Sequence, residues 1–157
     1  MNGTAIQTHD LTRDFGTVRA VDHLNLTVPG GIVFGFLGPN GSGKTTTMRL
    51  LLGLLEPTGG DASVLGYDVR TESAEIRERT GALLEDNGLY ERLTAEDNLD
   101  YFGRIYRMPS ADRQARIKEL LGHSGLWDRC KELVKDGSKG MQQKPAIGGA
   151  LVNRPPL

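Results

Sequence analysis

Only one cysteine, Cys130, stands in 157 residues. No intrachain disulfide can form, and a reducing compartment is the expectation. Charge of either sign is also missing as a dominant feature. The 19 basic and 20 acidic residues are interspersed and leave a formal net charge of -1. Nothing here resembles the basic stripe of a nucleic-acid binder, so no nucleic-acid partner is expected. Long apolar runs are absent too. The longest, "GIVFGFLG" and "LLLGLL", fall far short of the roughly 20 residues that a membrane-spanning helix needs. The opening "MNGTAIQTHD" lacks the charged-then-apolar pattern of a signal peptide. A cytoplasmic location follows, with any work at a membrane requiring a second polypeptide. There is no internal repeat, low-complexity tract or linker, and no [NT]-K-x-D element of the kind that reads guanine.

What is present is enough chain for one domain with a core. "TAIQTHDLTRDF" and "VRAVDHLNLTV" alternate apolar and polar residues, and Val21, Leu24, Leu26 and Val28 mark the second as a half-buried strand. The run "IVFGFL" (32–37) has the pattern of a strand buried on both faces of a parallel sheet. "TTTMRLLLGLL" predicts a helix that Pro57 and Gly59 stop. "DASVLGYDV" reads as another strand, "SAEIRERT" as a short helix and "GALLE" (81–85) as a second buried strand. Thr94 fits the N-cap of a helix over 95–107, with Asp97 in place of the Glu of a capping box. Ser110 fits the cap of the next helix, whose apolar stripe is Ile117, Leu120 and Leu121. Strands alternating with helices indicate an α/β fold.

The strongest motif follows the run 32–37. Gly38, Gly43, Lys44 and Thr45 satisfy G-x-x-x-x-G-K-[ST], the phosphate-binding P-loop, with Pro39, Asn40, Gly41 and Ser42 between them. Its glycines let successive backbone N–H groups turn inward toward phosphate oxygens. A helix starting near Gly43 adds its positive dipole end. Lys44 is placed to reach the β- and γ-phosphates, and the Thr45 hydroxyl to meet Mg²⁺.

The second half of the chain narrows the choice among P-loop proteins. "SKGMQQK" (138–144) begins about 90 residues after the P-loop and resembles the LSGGQ-type signature of ATP-binding-cassette (ABC) ATPases. Other matches keep the same order. Phe15-Gly16 resembles the A-loop, "GPNGSGKTT" the Walker A, "GLYERLTAEDNL" the stretch after the Q-loop, and "ALVNRPPL" the run into Walker B. The chain is similar to about the N-terminal two-thirds of an ABC ATP-binding subunit, and the S-K-G-M variant is most like bacterial exporters.

The resemblance implies a P-loop NTPase of the ABC type, with an antiparallel β-subdomain, an incomplete core sheet and a helical subdomain. It would be one domain over 1–157, with the β-subdomain and P-loop core over about 1–90 and the helical subdomain over about 91–144. It implies ATP and Mg²⁺ as ligands. It also implies a transmembrane permease and a second ATP-binding subunit as partners, and a place at the inner face of the cell membrane. Phe15 would stack on adenine, and Thr46 would support Thr45 at the phosphates. Glu85 stands where the family usually has the Q-loop glutamine; its carboxylate could still ligate Mg²⁺. Ser138, Lys139, Gly140, Met141 and Gln142 would close over the γ-phosphate held by a second subunit.

The departures cluster late. After the signature, "PAIGGAL" replaces a pattern like L-A-I-A-R-A-L. Pro145 is expected to break or kink the helix, at about 3 kcal/mol or more. Gly148 and Gly149 are expected to weaken it by about 1 kcal/mol each. Gly137 stands where an apolar or aromatic residue is usual. The Walker B carboxylates, the D-loop and the switch histidine are not in these 157 residues; His9, His23 and His123 all precede the switch position. Without the strands that follow in the family, 32–37 would present unpaired edges. The family hydrolyses ATP, whereas this chain on its own is expected to be inactive. The other reading is a non-hydrolysing nucleotide-binding or interaction module, or an inactive fragment.

Overall fold

The computed structural model describes residues 3–86 and 88–157. The chain divides into two compact units, one ending at Thr80 and including Leu157, the other running from Gly81 to Pro156.

The first unit is built on an antiparallel sheet. Strands β1 (Thr4–Phe15), β2 (Val18–Pro29), β3 (Gly59–Val64) and β4 (Tyr67–Asp68) lie in the order β2-β1-β3-β4. The alternating segments at the start of the sequence thus form strands, as their period predicts, and the two pair as a hairpin. Gly16, at φ 58, takes the first position of its two-residue turn, where a positive φ suits glycine. Helices α1 (Lys44–Leu51) and α2 (Ser73–Arg79) pack on this sheet. Leu50, Leu51 and Ile76 join Leu11, Val21, Ala62, Val64 and Val69 in one buried cluster.

Helix α1 ends earlier than Pro57 implies. Gly53 adopts φ 61, its N–H bonds to Leu50 O at 3.0 Å and the Leu54 N–H bonds to Arg49 O at 2.9 Å. These are the paired bonds of a Schellman stop. Glycine is needed there twice over, because a Cβ on Gly53 would also lie 2.4 Å from the Ser73 Cβ.

The two runs expected to be buried strands, 32–37 and 81–85, form no strand. Val33 is fully solvent-exposed and Leu37 is 91% exposed. The reason is that a strand is a pairing. Among the described residues every ladder belongs to β1–β4, apart from one isolated bridge between Thr94 and Leu133. Apolar composition by itself cannot satisfy a backbone.

The second unit is helical, with α3 (Ala95–Ile105), α4 (Ser110–His123) and α5 (Lys139–Leu151) joined through short 3₁₀ turns at Trp127–Arg129 and Val134–Asp136. Its core is Ala95, Leu99, Ile117, Leu121, Leu126 and Cys130, with Leu120 and Met141 packed against it. Thr94 caps α3 as its sequence predicts: Thr94 Oγ1 accepts from the Asp97 N–H at 3.0 Å and donates to Asp97 Oδ2 at 2.7 Å. Ser110 is the first helical residue instead of the cap, which falls on Pro109.

Helix α5 corrects the expectation of a break. It runs without interruption from Lys139 to Leu151 with Pro145 inside it. Pro145 and Gly148 are buried, so packing offsets part of the cost of the missing bond to the Met141 carbonyl. The two glycines have a use that propensity hides. A Cβ at Gly148 would lie 3.1 Å from Leu99 Cδ2, and one at Gly149 would lie 2.9 Å from Phe102 Cδ2. They let α5 approach α3 closely.

Candidate nucleotide-binding site

The phosphate loop lies in the first unit, between the exposed run 32–37 and α1. Its backbone has the shape the glycines imply. Gly41 adopts φ 81, and Gly43, the N-cap of α1, adopts φ 85. The loop is closed locally by the Ser42 N–H on Pro39 O at 3.3 Å. The helix start is anchored by Thr47, whose N–H and Oγ1 both bond to Gly43 O, at 2.8 and 2.9 Å. No acidic side chain occupies the first turn of α1, so no built-in carboxylate competes for the positive end of the helix.

Gly43 also sets where the loop sits. A Cβ there would fall 2.2 Å from the Ala20 carbonyl oxygen of β2 and 3.5 Å from Val21 Cγ2. Only glycine lets α1 begin this close to the strand. At Gly38 a Cβ would meet the Ser42 Oγ at 2.6 Å, so the loop interior has room for backbone and ligand but little for side chains.

Lys44 folds its ammonium back over the loop, donating to Gly38 O at 2.7 Å and Pro39 O at 2.6 Å. These two carbonyls hold the ammonium over the loop. Thr45 and Thr46 follow in the same first turn, both half-buried. Among the described residues no group of three or more His, Cys, Asp or Glu is arranged to hold a metal.

Phe15, expected under adenine, ends β1 beside the hairpin turn and is 47% exposed. One face of its ring carries the Arg13 guanidinium, 4.6 Å from the centroid. Phe15 pairs with Val18, and Arg13 with Val21. The ring is therefore about two strand residues, roughly 7 Å along β2, from Ala20, which the phosphate loop touches. Sequence inspection missed Arg13, although its position two residues before Phe15 puts both on one face of the strand.

The signature residues lie in the second unit. Ser138 is the N-cap of α5, its Oγ accepting from the Met141 N–H at 3.4 Å. Gln142 donates from Nε2 to Val134 O and Gly137 O, both at 3.2 Å, which ties the start of α5 to the preceding 3₁₀ turn. Met141 packs on the helical core. Lys139 and Gly140 are exposed, and a Cβ on Gly140 would meet nothing within 4 Å. Glu85 lies on the exposed segment that opens this unit. Asn98, which sequence inspection also missed, is fully buried and accepts from the Tyr90 N–H at 2.8 Å while donating to Tyr90 O and Thr94 O. It fixes the segment after Glu85 to α3. Burial, reinforced by the Glu96 carboxylate, pushes the Cys130 thiol above its ordinary range, which favours the thiol over the thiolate.

Comparison with known proteins agrees with this arrangement. The family pattern described as ABC transporter matches residues 21–157. The ABC transporter ATP-binding protein NatA of Bacillus subtilis is 43% identical over 141 residues, covering 89% of this chain and 57% of that protein. The bacitracin transport ATP-binding protein BcrA of Bacillus licheniformis is 42% identical over 154 residues, covering 98% of this chain and 49% of that protein. A solved ATP-binding subunit of an ABC transporter superposes with a TM-score of 0.86 at 30% identity, covering 97% of this chain and 63% of the other. The chain thus spans about half the length of the curated relatives it matches. The phosphate loop, the capped α5 and these likenesses agree: the chain belongs to the ABC transporter family, among its ATP-binding subunits.

Proposed function

We propose that this chain supplies the nucleotide-gripping part of an ABC transporter of the export type, binding Mg-ATP through Gly38–Thr46. The observation that carries the reading is the loop itself. Two glycines at positive φ turn the backbone onto a helix start free of acidic side chains, with the Lys44 ammonium held across it. The first N–H groups of a helix have no intrahelical partner, and they serve the phosphates along with Lys44. Thr45 would help hold Mg²⁺, with Thr46 beside it, and the metal would supply neutralisation of phosphate charge. Phe15 offers its open ring face to adenine.

The names of the relatives, which include bacitracin transport and daunorubicin/doxorubicin resistance ATP-binding proteins, support an exporter. No helix among the described residues is long and apolar enough to cross a membrane. In this reading a permease subunit provides the path, and a second ATP-binding subunit receives the signature, Ser138–Gln142. Glu85 marks the Q-loop position, where its carboxylate could join the metal.

Calorimetric titration of the protein with Mg-ATP tests the site, with Lys44→Ala as the comparison. Lys44→Ala is expected to lose binding. Equal affinity in the two proteins would overturn the assignment.

A further inference from the structure

The cation on Phe15 belongs to a small network that the nucleotide reading leaves unexplained. Arg13 Nη1 donates to the Glu56 carbonyl at 2.8 Å, while its Nε is buried with no hydrogen-bond partner. The guanidinium is therefore fixed at one end to the connection that follows α1, and its carbon lies 4.6 Å from the centroid of the Phe15 ring. A second tie runs beside it. The Asp14 N–H donates to Thr58 Oγ1 at 3.0 Å, and the Thr58 N–H donates to Thr12 O at 2.9 Å. The tip of the β1–β2 hairpin is thus fastened to the residues just past α1, the helix whose other end forms the phosphate loop. Leaving the buried Nε of a half-buried arginine unpaired has a cost, and a surface aromatic needs no such support to exist.

We propose that Arg13 is a positioning residue for the base of the nucleotide. By stacking on one face of Phe15 and anchoring to Glu56 O, it holds the ring upright so that its other face receives the purine. The inference rests on the nucleotide reading above, since it requires that Phe15 lie under the base. Its physical content is preorganisation: a ring already held in the bound pose loses less side-chain freedom when a ligand stacks on it. The cation–ring contact is modest at an exposed site, so its loss should be read as a small, ligand-specific change in affinity. The phosphate grip is made by other residues and should not depend on it.

The test compares Mg-ATP with magnesium tripolyphosphate, which offers the phosphates without a base, on the full chain. In Arg13→Leu the affinity for Mg-ATP should fall about two- to fivefold, the equivalent of one exposed cation–ring contact, while that for tripolyphosphate stays at the wild-type value. In a Phe15→Leu background the same Arg13→Leu change should have no further effect on Mg-ATP, because the ring it supports is gone. An equal loss for both ligands would show that Arg13 serves only the fold around α1, and would overturn the proposal. So would an unchanged Mg-ATP affinity, or an undiminished Arg13 effect in the absence of the ring. If Lys44→Ala leaves both affinities intact, the nucleotide reading itself fails, and that outcome is distinct from each of these.

Discussion

Gly41 and Gly43 have nearly the same backbone angle, φ 81 and φ 85, but very different surroundings. An alanine at either must adopt the left-handed region, at about 1–2 kcal/mol. At Gly41 the added methyl meets nothing within 4 Å, so the cost ends there. At Gly43 it would fall 2.2 Å from the Ala20 carbonyl oxygen, a backbone atom of β2 that cannot rotate away. Relieving that overlap should add about 1–3 kcal/mol, as overpacking does elsewhere. Gly41→Ala is therefore expected to cost about 1–2 kcal/mol and Gly43→Ala about 2–5 kcal/mol. Gly43→Ala should also weaken Mg-ATP binding more, since α1 must move off the strand that fixes the phosphate loop. The only tryptophan, Trp127, lies in the second unit, so its fluorescence does not report on this change. Hydrogen exchange at the β1–β2 amides does, because protection there tracks the local opening free energy. Equal loss of protection in the two variants would refute the steric argument and leave only backbone strain.

Three further outcomes are expected. Burial works against the charge of Asp100, but hydrogen bonds from Arg113, at 2.5 Å, and Arg104 outweigh it and hold the carboxyl below the ordinary 3.8. A depressed carboxyl contributes stability that is complete above its unfolded value and fades as pH falls through the folded one. Acid should therefore weaken the wild-type second unit below about pH 4, and Asp100→Asn should flatten that dependence in urea titrations read by Trp127. At neutral pH Asp100→Ala should cost about 3 kcal/mol by stranding the buried Arg113. Pro145→Ala restores the donor to the Met141 carbonyl, worth about 3 kcal/mol, and loses about 1–2 kcal/mol of packing. A net gain of about 1–2 kcal/mol in the same titration is expected, and a loss would show that the ring's packing outweighs the bond. Finally, in the 157-residue polypeptide the residues read as gripping phosphate, Lys44 and Thr45, do not by themselves orient an attacking water. Its Lys44-dependent phosphate release from Mg-ATP should stay well below about 1 s⁻¹, and turnover at that rate would refute the expectation.

The features legible in the sequence are those whose physics is local. The strands over Thr4–Phe15 and Val18–Pro29 follow from a two-residue period. The cap at Thr94 and the start of α1 after Gly43 follow from groups three or four residues apart. The phosphate loop is legible for the same reason, since its glycines, Lys44 and Thr45 act within one turn of chain. Tertiary structure decided what depends on distant partners. Whether 32–37 and 81–85 become strands depends on a ladder from elsewhere, and apolar composition could not supply it. Whether α5 gains from Gly148 and Gly149 depended on Leu99 and Phe102 across the helix pair, where missing side chains become room for contact. The stop of α1 at Gly53 instead of Pro57 is made by local bonds, but the approach of Ser73 leaves room only for glycine there. The position of Arg13 over Phe15 was settled by a carbonyl 43 residues away. Propensity acts over a few residues, whereas pairing and close approach are set by where the chain returns.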